Sequence, residues 1–307
     1  FGIGQILYDR RTGLIAACIV SFCPALLNLT RFYLISTLLI MVVTLTYYLF
    51  LKSECFENKK YSLLFGLAYG FGLMVKWTFF LYTLPAILIG LWGKELTFRE
   101  RAIQGFYYAG LVVSMLILPF LIFIMGEMRW ILLVIETILI CTLVKFLPTS
   151  KLSPQKVINL VVLTCTSVLI CFPWYAHNLI NISIGMSKSA SVVVLQSKAE
   201  WATPLWGYYL EIAQKHLGLP LFLLFCSAFI FFIFKKDRFN WLLLGWIVFP
   251  VLLFTFVSNK GFRYTAPCLP AMAIVMSVGL TRIQNYNWRR GFYFLTGILA
   301  IFSALHS

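Results

Sequence analysis

The amino-acid sequence predicts an all-α fold, a polytopic bundle of transmembrane helices, on three observations. Of its 307 residues, 61% are hydrophobic and only 11% charged, against roughly 25% charged in an average soluble domain. The mean hydropathy is +0.91. Long stretches run almost free of charge, close to the roughly 20 residues a helix needs to cross about 30 Å of hydrocarbon. No soluble core hides this much apolar surface, so lipid is the expected solvent, and a backbone in lipid satisfies its own hydrogen bonds as helix. A membrane barrel would show segments of about 10 residues with strict alternation, and none is present.

In chain order, Phe1–Tyr8 reads as the tail of an earlier span, closed by Asp9-Arg10-Arg11. With no charged leader and no cleavage motif, the true N-terminus is expected to lie before Phe1. Thr12–Leu29 and Phe32–Leu51 each read as one span. Tyr61–Trp92 is too long for one and is broken only by Lys76. It predicts two short helices, Tyr61–Val75 and Trp77–Trp92, turning at Lys76, with Gly66, Gly70 and Gly72 allowing close packing of this hairpin. Phe106–Met125, Trp130–Leu147, Val157–Phe172, Leu217–Phe234, Trp241–Val257, Thr265–Leu280 and Gly291–Leu305 bring the expectation to about 11 spans. Pro173 should end its helix and open one long outer loop, Pro173–His216. The second half of that loop, Trp201–His216, carries Trp201, Trp206, Tyr208 and Tyr209 beside Glu211 and Lys215, the composition of a helix lying in the headgroup layer. Residues 1–307 read as a single membrane-embedded domain.

The net charge of +15 reports orientation rather than nucleic-acid binding. Lys and Arg collect in cytoplasmic loops, and the turn at Lys76 places 17 of the 25 on one side and 8 on the other. Reading Tyr61–Trp92 as one helix would turn the lysine-rich later loops outward. The eight cysteines form no CxxC pair and read as small packing residues. No His/Cys cluster has metal-ligand spacing, and no phosphate-binding glycine loop is present.

Function in such a chain belongs where charge is out of place. Glu136 lies six residues beyond Trp130, about 9 Å into its helix at 1.5 Å per residue, with Arg129 or Lys76 as partners; a purely structural pair is the alternative. Arg31, Lys76, Lys260 and Arg263 all stand at outer ends of spans. Ser258-Asn259-Lys260-Gly261-Phe262-Arg263-Tyr264-Thr265-Ala266-Pro267 places two cations just before a helix start that Pro267 favours, an anion site at the depth of a lipid phosphate; ordinary interfacial anchoring is the alternative. Phe172-Pro173-Trp174-Tyr175-Ala176-His177-Asn178 offers His177 and Asn178 to an outer cavity; an aromatic belt with a solvated histidine is the alternative.

Four of these stretches together resemble the dolichyl-phosphate-mannose protein mannosyltransferase and aminoarabinose transferase group, membrane glycosyltransferases of the GT-C fold. Arg11–Pro24 resembles the group's GLxAAxxxxxxP span, Gly66–Pro85 its GxxxGLxxLxKxT, Phe172–Asn178 its PWYxxN, and Lys260–Pro270 its KxxRYxxPxxP. The ordered set is more specific than any one motif. The resemblance implies inverting transfer of a sugar from a polyprenyl-phosphate donor to a lipid A-like, glycan or protein acceptor on the non-cytoplasmic face. It implies a multi-pass protein of a bacterial inner membrane, in contact with membrane lipids, with its site facing the periplasm. It implies donor-phosphate contacts from Lys260, Arg263 and Tyr264, and cavity or substrate contacts from Arg31, Lys76, His177, Asn178 and Glu136. The acidic base would lie before Phe1. No cofactor is fixed, and a divalent cation stays open. Ser36 departs from the pattern, since many relatives carry Asp or Glu there. The competing classes are a lipid-linked sugar flippase or transporter, which needs a charged midplane site, and a non-catalytic membrane subunit, which needs no polar cavity.

Overall fold

The computed structural model describes residues 1–31, 35–76, 78–91, 153–200, 217–233, 238–255 and 262–282. Every regular element among them is helical. They are α1 (Gly2–Leu7), α2 (Arg10–Ser21), α3 (Pro24–Arg31), α4 (Ile35–Lys52), α5 (Lys59–Val75), α6 (Phe79–Leu91), α7 (Pro154–Glu200), α8 (Leu219–Ile233), α9 (Arg238–Thr255) and α10 (Leu269–Thr281). Two 3-10 turns, Phe262–Tyr264 and Ala266–Cys268, lead into α10. The expected spans Phe106–Met125, Trp130–Leu147 and Gly291–Leu305, and the interfacial helix Trp201–His216, lie outside the described residues.

Two helices are long and apolar enough to cross a membrane, α4 and the Pro154–Tyr175 part of α7; α2 with α3 makes a third if the bent pair is one span. The apolar stretches Phe79–Gly90, Leu221–Ile230, Asn240–Phe254 and Ala266–Thr281 are shorter. The expected single span Thr12–Leu29 is corrected to two helices bent by 52°. Asp9 caps α2, its carboxylate accepting the Thr12 N–H at 2.6 Å. Pro24 cannot donate into the α2 ladder, yet its fixed φ suits the first position of α3.

The break at Lys76 is as expected. Asn58 caps α5 by accepting the Tyr61 N–H at 3.3 Å, and Lys76 follows Val75 in extended backbone, φ −161° and ψ 130°. α5 and α6 run antiparallel. Tyr69 of α5 lies 5.4 Å from Phe79 at the start of α6, and Gly90 near the end of α6 lies against Phe56, just before α5.

The expected helix end at Pro173 is corrected. α7 runs through it to Glu200, so the stretch after Pro173 is helix rather than loop as far as Glu200. Proline forfeits one backbone bond and crowds the carbonyl four residues back. That carbonyl belongs to Leu169, whose side chain is 75% exposed, so the crowded turn faces out of the bundle. Two residues beyond the proline, the Tyr175 hydroxyl donates to the Leu73 carbonyl at 2.8 Å and holds the continued helix to the end of α5. Neighbouring helices make proline tolerable within membrane helices in this way.

Where α5 meets α7 the backbones touch. A Cβ at Gly66 would lie 2.7 Å from the Leu163 carbonyl oxygen, and one at Gly70 would lie 2.7 Å from that of Ser167. The Ser167 hydroxyl, in the same seam, donates toward the Gly66 carbonyl at 3.0 Å and the Leu163 carbonyl at 2.8 Å. This is the small-residue packing that replaces hydrophobic drive between helices in lipid. The other faces of the two helices, with Leu63, Leu67, Phe71, Val161 and Phe172, are exposed. The α4–α5 connection adds an unusual local feature. Glu54, Cys55 and Phe56 all take positive φ, at 52°, 62° and 75°, a conformation costing roughly 1–2 kcal/mol for each non-glycine residue. The Phe56 ring is fully buried, and Asn159 of α7 donates to the carbonyls of Phe56 and Glu57 at 2.9 and 2.8 Å.

At the centre stands α10, with every residue from Leu269 to Val278 buried. A helix apolar all round belongs in a protein interior. Its start, at the two 3-10 turns, sets the position of the residues described below.

Gly70→Val should force α5 and α7 apart. We expect a loss of roughly 1–3 kcal/mol, the usual cost of overpacking, read as a lower unfolding temperature in detergent. Leu67→Ala, on the exposed face of α5, should leave that temperature nearly unchanged. Equal melting of all three chains would refute the close seam.

Candidate functional site

Four side chains meet at Tyr264, in the turn that opens α10. Lys76 Nζ stands 4.7 Å from the centre of its ring. The Arg263 guanidinium lies 5.8 Å from the same ring, Phe254 of α9 stacks on it at 5.0 Å and 19°, and the Tyr82 hydroxyl of α6 donates to the Tyr264 carbonyl at 2.7 Å. Lys76 and Arg263, remote in the sequence, thus share one aromatic ring.

Each partner is set by its own element. α5 ends at Val75, so Lys76 leaves the helix in extended backbone and its side chain reaches toward α10. Arg263 is exposed, and Tyr264 is half-buried. Tyr82 is fully buried in an apolar helix, where its hydroxyl must find an acceptor. The Tyr82 carbonyl in turn accepts from the Tyr47 hydroxyl of α4 at 2.9 Å. Tyr47 stacks on Trp246 of α9 at 3.8 Å and 7°, and the Trp246 indole N–H donates to the Pro267 carbonyl at 3.0 Å. The backbone around the 3-10 turns is therefore held at Tyr264 and at Pro267 by donors from two other helices.

The electrostatics favour an anion. Lys76 lies at the turn between α5 and α6, outside both, and its ammonium is held below the ordinary lysine value, first by burial and then by the Arg263 charge. Among the described residues no carboxylate balances the pair. A cation over an aromatic face gains about 0.5–2 kcal/mol, which supports each charge without neutralising it. Two adjacent cations on a neutral aromatic support can take a phosphoryl or carboxylate group by charge-assisted hydrogen bonds.

The structure brings together three of the residues read from the sequence: Lys76, Arg263 and Tyr264. Arg31 stands exposed at the last turn of α3, and Ser36 is buried in the first turn of α4. His177 is exposed on α7, and Asn178 donates its amide to the Trp174 carbonyl at 2.9 Å, a bond within its own helix. Tyr175 ties this segment to the end of α5, three residues from Lys76. Lys260 and Glu136 lie outside the described residues. Pro267 lies within the 3-10 turn Ala266–Cys268 that continues into α10, rather than starting the α-helix directly. Sequence reasoning missed Tyr82, Tyr47, Trp246 and Phe254. Each lies in an apolar run where an aromatic residue looks like ordinary core, and only a hydroxyl or indole N–H inside such a run hints at a carbonyl needing a donor.

A family model described as dolichyl-phosphate-mannose-protein mannosyltransferase matches residues 1–123, a stretch that includes α1 to α6 and so Arg31, Lys76 and Tyr82. No curated protein and no solved structure matches the chain.

Tyr82→Phe removes only the bond to the Tyr264 carbonyl. A carbonyl left without its donor costs about 1–3 kcal/mol, so the variant should unfold at a lower temperature. Unfolding identical to that of the unsubstituted chain would show that this bond does not hold the turn.

Proposed function

We propose that this chain is a membrane glycosyltransferase that moves a sugar from a polyprenyl-phosphate donor to an acceptor on the non-cytoplasmic face. The observation that carries the reading is the meeting of Lys76 and Arg263 at the Tyr264 ring with no carboxylate among the described residues to balance them. The family match over residues 1–123 supports the reaction class, and the apolar helices support the lipid setting. A soluble phosphate ester would not call for a site built among such helices; a lipid-borne phosphate would.

In this reaction an acceptor oxygen attacks the anomeric carbon of the donor. The bond from that carbon to the phosphate oxygen breaks, and the acceptor proton passes to a carboxylate. The departing polyprenyl phosphate gains negative charge as the bond breaks. Lys76 and Arg263 stabilise that charge best when it is fully developed, so their interaction is stronger in the transition state than in the bound donor. Lys260, three residues before Arg263, would join them. Tyr264 supplies the neutral surface that keeps both known cations in place. Arg31, His177, Asn178 and Glu136 are assigned to the sugar and acceptor side of the cavity. The base belongs to the acidic first outer loop that the family resemblance implies, and the acceptor is a lipid A-like, glycan or protein hydroxyl. A divalent cation at the phosphate is left open. We place the protein in a bacterial inner membrane with this site toward the periplasm.

Arg263→Ala in the intact protein should slow transfer by roughly 10- to 150-fold, the equivalent of one charge-assisted hydrogen bond lost in the transition state. Expression and membrane insertion should remain normal. Arg263→Lys should restore only part of the rate, because lysine cannot make the planar bidentate contact. Wild-type transfer by both variants would leave Arg263 an interfacial anchor and refute its place at the phosphate.

The lowered basicity of Lys76 predicts a pH effect of definite sign. Its ammonium is lost as pH rises through a value below that of an ordinary lysine, and transfer should fall with it. Lys76→Arg keeps the charge at every accessible pH, so the alkaline limb of kcat/KM should move upward even if the maximum rate falls. An unmoved limb would mean that Lys76 does not act as a cation in the reaction.

A further inference from the structure

Tyr175 acts on the anion site from outside it, through the end of α5. The Lys76 N–H closes the α5 ladder on the Gly72 carbonyl at 3.1 Å. The Leu73 carbonyl comes next, and the ladder stops short of it because Lys76 is extended. The last carbonyls of a helix need partners from elsewhere. Here the partner comes from another helix: the Tyr175 hydroxyl donates to the Leu73 carbonyl at 2.8 Å. The bond joins residues 102 apart in the sequence and falls just before Lys76.

The backbone of Lys76 is thus held from two directions. On the α6 side, the Phe79 N–H donates to the Lys76 carbonyl at 2.9 Å, and the Phe79 ring lies against Gly72. On the α7 side stands Tyr175, half-buried, its ring edge-to-face with that of Trp174 at 5.0 Å. The target of Lys76 is fixed independently, since Tyr82 holds the Tyr264 carbonyl and Phe254 stacks on its ring. The 4.7 Å from Lys76 Nζ to the centre of that ring therefore depends on where α5 ends, and Tyr175 holds that end. Farther from the turn, Ser167 makes a bond of the same kind, from α7 to the Gly66 carbonyl at 3.0 Å. Both bonds join the same two helices, but only that of Tyr175 lies beside the site.

We propose that Tyr175 is a positioning residue of this anion subsite, its hydroxyl holding the end of α5 so that the Lys76 ammonium stands with Arg263 at the Tyr264 ring. The inference rests on the phosphate reading above and adds to it a residue that does not touch the phosphate. Lys76 is kept near a like charge and partly out of water, an arrangement its long, flexible side chain would leave if the backbone beneath it were freed. Tyr175 denies it that freedom through one neutral hydrogen bond to the backbone.

The test reads Lys76 directly. The purified chain in neutral detergent is labelled with acetic anhydride across a pH series, and the extent of labelling at Lys76 is measured by mass spectrometry. Tyr175→Phe keeps the ring and removes the hydroxyl. The labelling midpoint of Lys76 should then move upward, toward that of an ordinary lysine, as the ammonium gains water and leaves Arg263. Affinity for farnesyl phosphate, a short polyprenyl monophosphate, should fall about three- to tenfold by calorimetry, the scale of one neutral hydrogen bond. Ser167→Ala removes a bond between the same helices away from the turn. It should lower the unfolding temperature yet leave the midpoint and the affinity unchanged. An unmoved midpoint in Tyr175→Phe would overturn the assignment whatever the affinity does. Equal shifts in Ser167→Ala would do the same, by making both bonds general supports of the seam. If Lys76→Gln binds more weakly while Tyr175→Phe binds unchanged, the Tyr175 assignment falls and the phosphate reading stands. If the midpoint moves but neither variant weakens binding, or the unsubstituted chain does not bind, the phosphate reading falls and takes this role of Tyr175 with it.

Discussion

The hydrogen bond from the Tyr82 hydroxyl to the Tyr264 carbonyl, at 2.7 Å, joins the two parts of the chain on which the site depends. One is the α5–α6 pair with its break at Lys76. The other is the pair of 3-10 turns that opens α10, the most buried helix described. Non-helical backbone in apolar surroundings leaves carbonyls that must be answered by side chains. Tyr82 answers at Tyr264, and Trp246 answers at Pro267. The two donors are themselves linked, because Tyr47 donates to the Tyr82 carbonyl and stacks on Trp246. Four helices, α4, α6, α9 and α10, are thereby fixed around one short irregular segment.

That rigidity carries two charges which repel each other. Lys76 and Arg263 gain from the Tyr264 face, yet Lys76 is partly desolvated and its protonated form is disfavoured by burial and by the Arg263 charge. Local destabilisation of this kind is what a preorganised anion site requires. In the proposed function the cations stand where the phosphate's charge would come, so binding would need little reorganisation.

Several features of the fold were legible along the chain because their causes are local. The break at Lys76 follows from an apolar run too long for one span with one cation inside it. The close approach of Gly66 and Gly70 was expected within the α5–α6 hairpin, where only Gly72 meets its partner, Phe79; the other two meet α7 instead. Proline was less reliable, since the same residue ends α2 before Pro24 and passes through α7 at Pro173. The difference lies in what surrounds each one. Pro173 has Tyr175 anchored to Leu73 two residues beyond it, whereas Pro24 begins a new helix after a 52° bend. The left-handed run Glu54–Phe56 left no trace in the sequence either, because nothing in it is glycine. It is held by Asn159, more than a hundred residues away.

By itself the sequence determined that the chain is helical and largely apolar, and that a few of its cations stand at the ends of apolar runs. Composition and run length decide those matters one segment at a time. It also marked Lys76, Arg263 and Tyr264 one by one as residues of interest. Only the tertiary structure decided that these three meet, and that Tyr82, Tyr47 and Trp246 hold the backbone where they do. A tyrosine in an apolar run reads the same whether its hydroxyl faces a helix end or a distant carbonyl. Which carbonyl lacks a donor depends on where the helices stop and how they pack, and that is a property of the assembled bundle.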